Sequence, residues 1–444
     1  MFQTMKNAWK IPELRNKLLF TLLIVILYRI GANIPVPYIN VNILASLTEV
    51  NRGTMFEFVN TLSGQAFNQA TLFALGVSPY ITASIVIQLL AVAIPYFERL
   101  AKNGEEGKKV LSRWTRGCTA VLALVTAIGY TFYLSNVDTG AEFGLLTEKL
   151  GWFNGAVLVA CYCAGACIVM WLAEKINEFG IGNGISVILF ANIVASFPSL
   201  VVAVKEFMLP TGGKFNPWGI ALAVFVVLFM LGMILLIIWI TDSERRIPVM
   251  YAKRTVGRKQ IGGQSTNLPI KLNMTGVMPI IFANAIVSVP ATILAFFPNN
   301  KVLKEISDVL SYDSWLYVLI FFLLIIGFAF FYVMISFNPI EVANNIQQQG
   351  GQVRGIRPGR PTVEYISKVL NRITLLGALF VCVVACVPLV VFIVLGYIST
   401  GAQQTFGSFA FLGSSIIIVV GVALETVREL EAQMSLRNYK GFLG

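Results

Sequence analysis

The chain has 444 residues, 57% of them hydrophobic and 12% charged, with a net charge of +11 and a mean hydropathy of +0.76. Soluble domains carry about 25% charged residues, so a water-soluble fold is excluded and an all-α polytopic membrane protein is expected. The lack of His removes the commonest general base, the commonest metal ligand and the Ser-His-Asp triad. No G-x-x-x-x-G-K-S/T phosphate loop occurs, so no catalytic residue, metal site or cofactor is expected.

Ten apolar runs are long enough to cross about 30 Å of hydrocarbon: residues 18–35, 71–93, 117–134, 153–172, 185–203, 217–240, 274–297, 315–337, 370–395 and 410–427. Residues 1–17 are polar and basic, so the first run is expected to be a retained span and not a cleaved signal. Cys118, Cys161, Cys163, Cys167, Cys382 and Cys386 all fall within these runs and read as small, unpaired packing residues. With the N-terminus inside, 26 of the 33 Lys and Arg lie on the inner side and six on the outer, with Arg29 in the first span. The positive-inside rule therefore places both termini in the cytosol.

After the first span, residues 31–37 (GANIPVP) break the helix. Residues 55–70 follow, alternating apolar and polar groups, too short and too polar to span. They read either as a re-entrant helix surrounded by protein or as an interfacial helix on the outer surface. The second span carries Gly76-Val-Ser-Pro-Tyr-Ile81, which is echoed by Gly276-Val-Met-Pro-Ile-Ile281 in the seventh. Each motif puts Gly and Pro where a continuous helix is expected, and interrupted segments at matching places in two halves point to a central site. Val77, Ile81 and Ile85 share one helix face. Gln88 is an isolated polar group, expected to be satisfied by a bond to another helix. Residues 95–116 read as a charged cytosolic loop. The glycines at 180, 182 and 184 lack the strand and the Lys that a phosphate loop requires, so they read as a tight turn into the membrane.

A second repeat, Gly184-Ile-Ser-Val-Ile-Leu189 against Gly413-Ser-Ser-Ile-Ile-Ile418, again falls once in each half. Because each half holds an odd number of spans, the repeat is expected to be inverted, with an N-terminal half over 1–205 and a C-terminal half over 206–444 joined by a short outer link. Two long inner loops, 241–273 and 338–372, carry Arg at Gly-rich tips. Topogenic charge and attraction to anionic lipid both account for such charge, but the reach of the loops favours docking of a large anionic partner, RNA included. Charged groups are sparse in the spans, Arg29 and Glu425 being the main ones. Repeats that present aliphatic side chains suit a seal that excludes water better than the polar midplane site of a secondary transporter for a small solute, which is the alternative reading.

Residues 73–85, 180–186, 251–254, 264–271 and 355–359 together resemble the SecY family, the large channel-forming subunits of the bacterial protein translocase. The resemblance covers nearly the whole chain. It implies a protein-conducting channel of the bacterial plasma membrane, built of two inverted five-helix halves with a re-entrant plug. It would place a pore ring on Val77, Ile81, Ile185, Leu189, Ile281 and Ile418. The plug would be Thr61, Leu62, Ser63, Gly64, Gln65, Ala66, Phe67 and Asn68. Spans two and three against seven and eight would form a lateral gate, with Gln88 and Asn284 near its seam. Arg254, Arg258, Lys259 and Arg357 would dock the ribosome or the SecA motor. SecE and SecG would be small membrane partners, with signal sequences, unfolded clients and anionic lipids as further contacts.

Overall fold

A computed structural model describes residues 6, 8–40, 55–136, 146–147, 150–208, 217–251, 254–256, 259–261, 265–296, 302, 305–306, 309, 314–398 and 412–440. In chain order the first half contributes α1 (Pro12–Gly31), α2 (Met55–Ser63), α3 (Ser78–Ala93), α4 (Pro95–Lys102), α5 (Gly104–Asn136), α6 (Trp152–Phe179) and α7 (Gly184–Met208). The second contributes α8 (Pro217–Asp242), β1 (Glu244–Tyr251), β2 (Arg254–Val256), β3 (Lys259–Ile261), β4 (Ser265–Lys271), α9 (Met278–Phe296), α10 (Trp315–Ser336), α11 (Pro339–Gln348), β5 (Gly351–Val353), α12 (Arg360–Ile398) and α13 (Leu412–Lys440). Each of the ten apolar runs carries a helix: α1, α3, α5–α10, α12 and α13. On α1, Leu19, Leu22, Leu23, Ile26, Leu27 and Ile30 are bare while Leu14, Ile24, Tyr28 and Gly31 are buried. A continuous apolar face of that kind is stable against hydrocarbon and not against water.

The Gly/Pro motifs do not interrupt helices. They start them. Gly76 and Gly276 both adopt a left-handed backbone (φ +53° and +61°), and α3 and α9 begin two residues later. Val77 caps α3, and Pro79 falls in the first turn, where its missing N–H is no loss. The expected spans 71–93 and 274–297 are thus shortened at their first ends. The second repeat shares a different constraint. A Cβ on Gly184 would lie 1.9 Å from the Ala173 carbonyl oxygen, and one on Gly413 would lie 2.4 Å from that of Val384. In each half a glycine lets the fifth span press onto the backbone of the fourth.

Within the first half α5 packs on α3 and α6, and α6 on α1 and α7; within the second α10 packs on α9 and α12, and α13 on α8 and α12. The halves touch along two seams. On one, α7 meets α8 and α13; on the other, α9 meets α3 and α5. The helix α7 runs to Met208, past the expected boundary at 205, and residues 209–216 of the link lie outside the described residues.

The charged segments 95–116, 241–273 and 338–372, expected as loops, carry helices and strands among their described residues. Residues 95–116 form α4 and the start of α5, after a 101° bend following Ala93. Residues 241–273 and 338–372 join in one antiparallel sheet of order β4-β1-β5, in which Ile247 faces Leu268 and Val249 faces both Thr266 and Val353. Alternation buries Ile247 and Val249 against Ile346 of α11 and Ile366, Leu370 and Ile373 of α12. This second core is separate from the one between the membrane helices, so the protein adds a small sheet unit to its helical body.

Candidate functional site

The four helices that begin at the repeated motifs, α3, α7, α9 and α13, supply the centre of the molecule. Val77, Ile81, Leu189, Ile281 and Ile418 are all buried in one hydrophobic cluster, and half-buried Ile185 packs against it. Each branched side chain withdrawn from water contributes roughly 1.5–3 kcal/mol. A constriction lined this way offers water no hydrogen bond and closes by dewetting.

Helix α2 lies beside the cluster and packs on α7 and α9. The expected plug residues Thr61–Asn68 straddle its end. The helix stops at Ser63, and the chain turns through Gly64 and Gln65, both at positive φ. Gln65 N–H donates to the Asn60 carbonyl (2.9 Å), the Asn68 N–H to Asn60 Oδ1 (2.9 Å) and the Phe67 N–H to Ser63 Oγ (3.0 Å). Residues 60–68 are therefore a self-bonded unit, a re-entrant element enclosed by protein and not an interfacial helix. Ser63, Gly64, Ala66, Phe67 and Asn68 are buried, whereas Thr61, Leu62 and Gln65 are half-buried. Asn192 is not among the expected site residues, yet it is fully buried in α7 and donates to the Leu62 carbonyl at the end of α2. A lone Asn in an apolar run was the available signal.

The seam of α3, α5 and α9 encloses a cavity of about 290 Å³, walled by Ile81, Thr82, Leu122, Tyr130, Ile281, Asn284 and Ser288, with Val59, Leu62 and Phe67 of the plug region at one end. Asn284 is buried there, and among the described residues its Nδ2 has no hydrogen-bond partner. Gln88 does otherwise than expected: its amide donates to Ser84 Oγ (3.2 Å), one turn back on the same helix. The eighth span, α10, packs chiefly on α9 and α12, so the seam is formed by spans two and three against seven.

Of the expected docking residues, Arg258 lies outside the described residues, and Arg254 and Lys259 occupy the paired strands β2 and β3. Arg357 is exposed on a turn whose ends, Gly355 (φ +82°) and Gly359 (φ +97°), are both left-handed. Its carbonyl accepts from Thr362 Oγ1 (2.8 Å), and the Arg354 N–H donates to the Pro248 carbonyl (3.3 Å). The guanidinium is thus presented from a turn fixed to both the sheet and α12.

Two helical halves closed on an apolar waist, with a re-entrant element beside it and a seam to one side, define a membrane channel for a passing chain and not a site that grips a solute. The chain belongs to the SecY family, whose model matches residues 71–427. A protein translocase subunit SecY of Streptomyces galbus is 42% identical over 451 residues, covering all of both chains, and that of Bacillus subtilis is 38% identical over 444 residues, again covering all of both. The fold matches a SecY channel solved in a study of its plug domain (TM-score 0.60, 18% identity, 95% of this chain and 92% of that one). It also matches Sec61 from a canine ribosome–channel complex (TM-score 0.59, 17% identity, 94% and 92%). The small-solute transporter is set aside by this membership.

The unpartnered Asn284 amide yields a stability prediction. Replacing Asn284 with Leu removes a buried donor that has no acceptor, and the neighbouring cavity takes the added volume. The folded protein should gain about 1 kcal/mol, read as a higher midpoint of thermal unfolding in detergent. A lower midpoint contradicts the assignment.

Proposed function

We propose that the protein threads unfolded secretory polypeptides across the bacterial plasma membrane, with Val77, Ile81, Ile185, Leu189, Ile281 and Ile418 as its pore ring. The observation that carries this reading is that Val77, Ile81, Leu189, Ile281 and Ile418, from both halves of the chain, are buried in one hydrophobic cluster with Ile185 packed against it. Soft, non-directional contact seals around an arbitrary sequence without holding it. Residues 61–68 serve as the plug, consistent with a self-bonded element set beside the ring. The α3/α5–α9 seam serves as the lateral gate, opened by a signal sequence or nascent span that takes the place of the cavity and hydrogen-bonds Asn284. The two halves, an N-terminal one over 1–205 and a C-terminal one over 206–444, pivot on the α7–α8 and α7–α13 contacts.

Both termini and the sheet unit lie in the cytosol, as the charge distribution supports. The sheet unit is the docking platform for the ribosome or the SecA motor, which supplies the driving force. Assembly of the similar Sec61 channel with a ribosome, and the basic turn at Arg357, support this. SecE and SecG complete the membrane assembly, and anionic lipids surround its basic inner rim.

Two measurements test the proposal. The pair Ile81→Gly and Ile281→Gly opens the ring and should raise the ion conductance of resting channels in planar bilayers several-fold, on the order of the effect of widening a dewetted constriction; unchanged conductance refutes the ring. Arg357→Glu should lower motor-dependent translocation into reconstituted vesicles about tenfold while leaving detergent stability within roughly 0.5 kcal/mol, because the side chain is exposed. Transport at the parental rate refutes the role of that turn.

A further inference from the structure

We propose that Tyr28, Arg29 and Asn192 form a releasable latch for the plug and that Tyr130 and Tyr162 form its fixed hinge. This rests on the plug reading above and adds how the plug is held and in which direction it leaves.

The latch side is polar, with Tyr28 and Asn192 fully buried and Arg29 half-buried. Asn192 donates from Nδ2 to the Leu62 carbonyl (2.7 Å) and to the Tyr28 hydroxyl (2.8 Å). Arg29 donates from Nη1 to the Gly64 carbonyl (3.3 Å) and to Asn192 Oδ1 (3.4 Å). These bonds tie α1 and α7 to the turn that ends α2. Glycine at 64 is required twice over. Its φ is +66°, and a Cβ there would lie 2.4 Å from Arg29 Nη1 and 2.8 Å from Asn192 Oδ1. The cation is nevertheless weakly held. Its contacts are long and go to neutral oxygens, and among the described residues it makes no ion pair. Water reaching this point hydrates the guanidinium and replaces both contacts, so the latch opens when the pore wets.

The hinge side is different in kind. Tyr130 donates to the Phe67 carbonyl (2.5 Å) and Tyr162 to the Ala70 carbonyl (3.4 Å). The Phe67 ring lies 4.6 Å from that of Tyr130. The Leu72 N–H donates to the Ile34 carbonyl (3.0 Å), and a Cβ on Gly165 would lie 1.9 Å from the Leu72 carbonyl oxygen. Phe67, Ala70, Ala74 and Leu75 are buried with α5 and α6 in an apolar cluster of their own. Residues 60–66 therefore swing away from α7, giving up the Asn60–Asn68, Ser63–Phe67 and Ala66–Thr71 hydrogen bonds, about a segment, 67–75, that stays on α5 and α6. The gate-side cavity beside Val59 and Leu62 gives the moving part its first free space.

The test places single reporter cysteines at Ser63 and Ala70, which are both buried, and follows labelling of resting channels by a membrane-impermeant maleimide added from the outer side, above the background of the six native cysteines. Asn192→Ala should speed labelling of the Ser63→Cys reporter about tenfold, leave the Ala70→Cys reporter unlabelled, and permit export of a client lacking its signal sequence. Arg29→Gln, which keeps the size of the side chain nearer to native, should give a smaller rise at Ser63→Cys with the same protection at Ala70→Cys. Parental labelling at Ser63→Cys in both variants overturns the latch. Equal gains at both reporters overturn the hinge, since the whole segment has then loosened. Fast labelling at Ser63→Cys with Tyr28, Arg29 and Asn192 intact overturns the plug reading itself and is distinguishable from either.

Discussion

Apolar contact between the starts of α3 and α7 and the starts of α9 and α13 is what closes the centre of this molecule, and the remaining architecture follows from it. Such contact has no direction, so it can be broken by an entering chain and remade around it. It must nevertheless be held in register by something stiff. The inverted repeat supplies that stiffness. Left-handed glycines at 76 and 276 set where α3 and α9 begin, and close-packed glycines at 184 and 413 seat α7 and α13 on their neighbours. Local backbone requirements, and not side-chain specificity, place the aliphatic positions.

Polar interactions gather at two places, the turn that ends α2 and the sheet unit. Around residues 60–64 they join fully buried Tyr28 and Asn192 and half-buried Arg29 to the end of α2. Elsewhere they decorate a sheet unit whose own apolar core, through Ile346, Ile366 and Leu370, ties it to α12. Force applied at the Arg357 turn is therefore passed to a helix that crosses the second half, and Arg428 of α13, bonded to Asp242 and to the Thr241 carbonyl, links that side to the end of α8. A push on the platform can then reach the seams between the halves without crossing flexible chain.

Much of the fold was legible in the sequence, because hydrocarbon demands long apolar runs and because the two repeated motifs survive as words. Their meaning was read only in part. Gly followed by Pro marks a break and a beginning alike, and nothing within residues 76–81 decides between them; the decision comes from the turn at 71–77 packed on α6. The sheet was missed because β1 and β5 are about a hundred residues apart and the alternation of Ile247 and Val249 sits among charges. Gln88 was expected to bond across helices, yet Ser84 one turn away is a nearer acceptor than any neighbour. The partnership of Arg29 with Asn192 could not be seen at all, since only folding brings residues 163 positions apart together.

The central claim is that a translocating chain passes through the aliphatic waist. It is tested most directly by arresting a secretory polypeptide in transit and crosslinking it to single cysteines placed at Ile81, Ile281 and Ile418, with Leu23 and Leu319 on bare helix faces as controls. Adducts from all three waist positions at one register of the client, and none from the controls, are the expected result. Adducts at the controls with none at the waist would contradict the account.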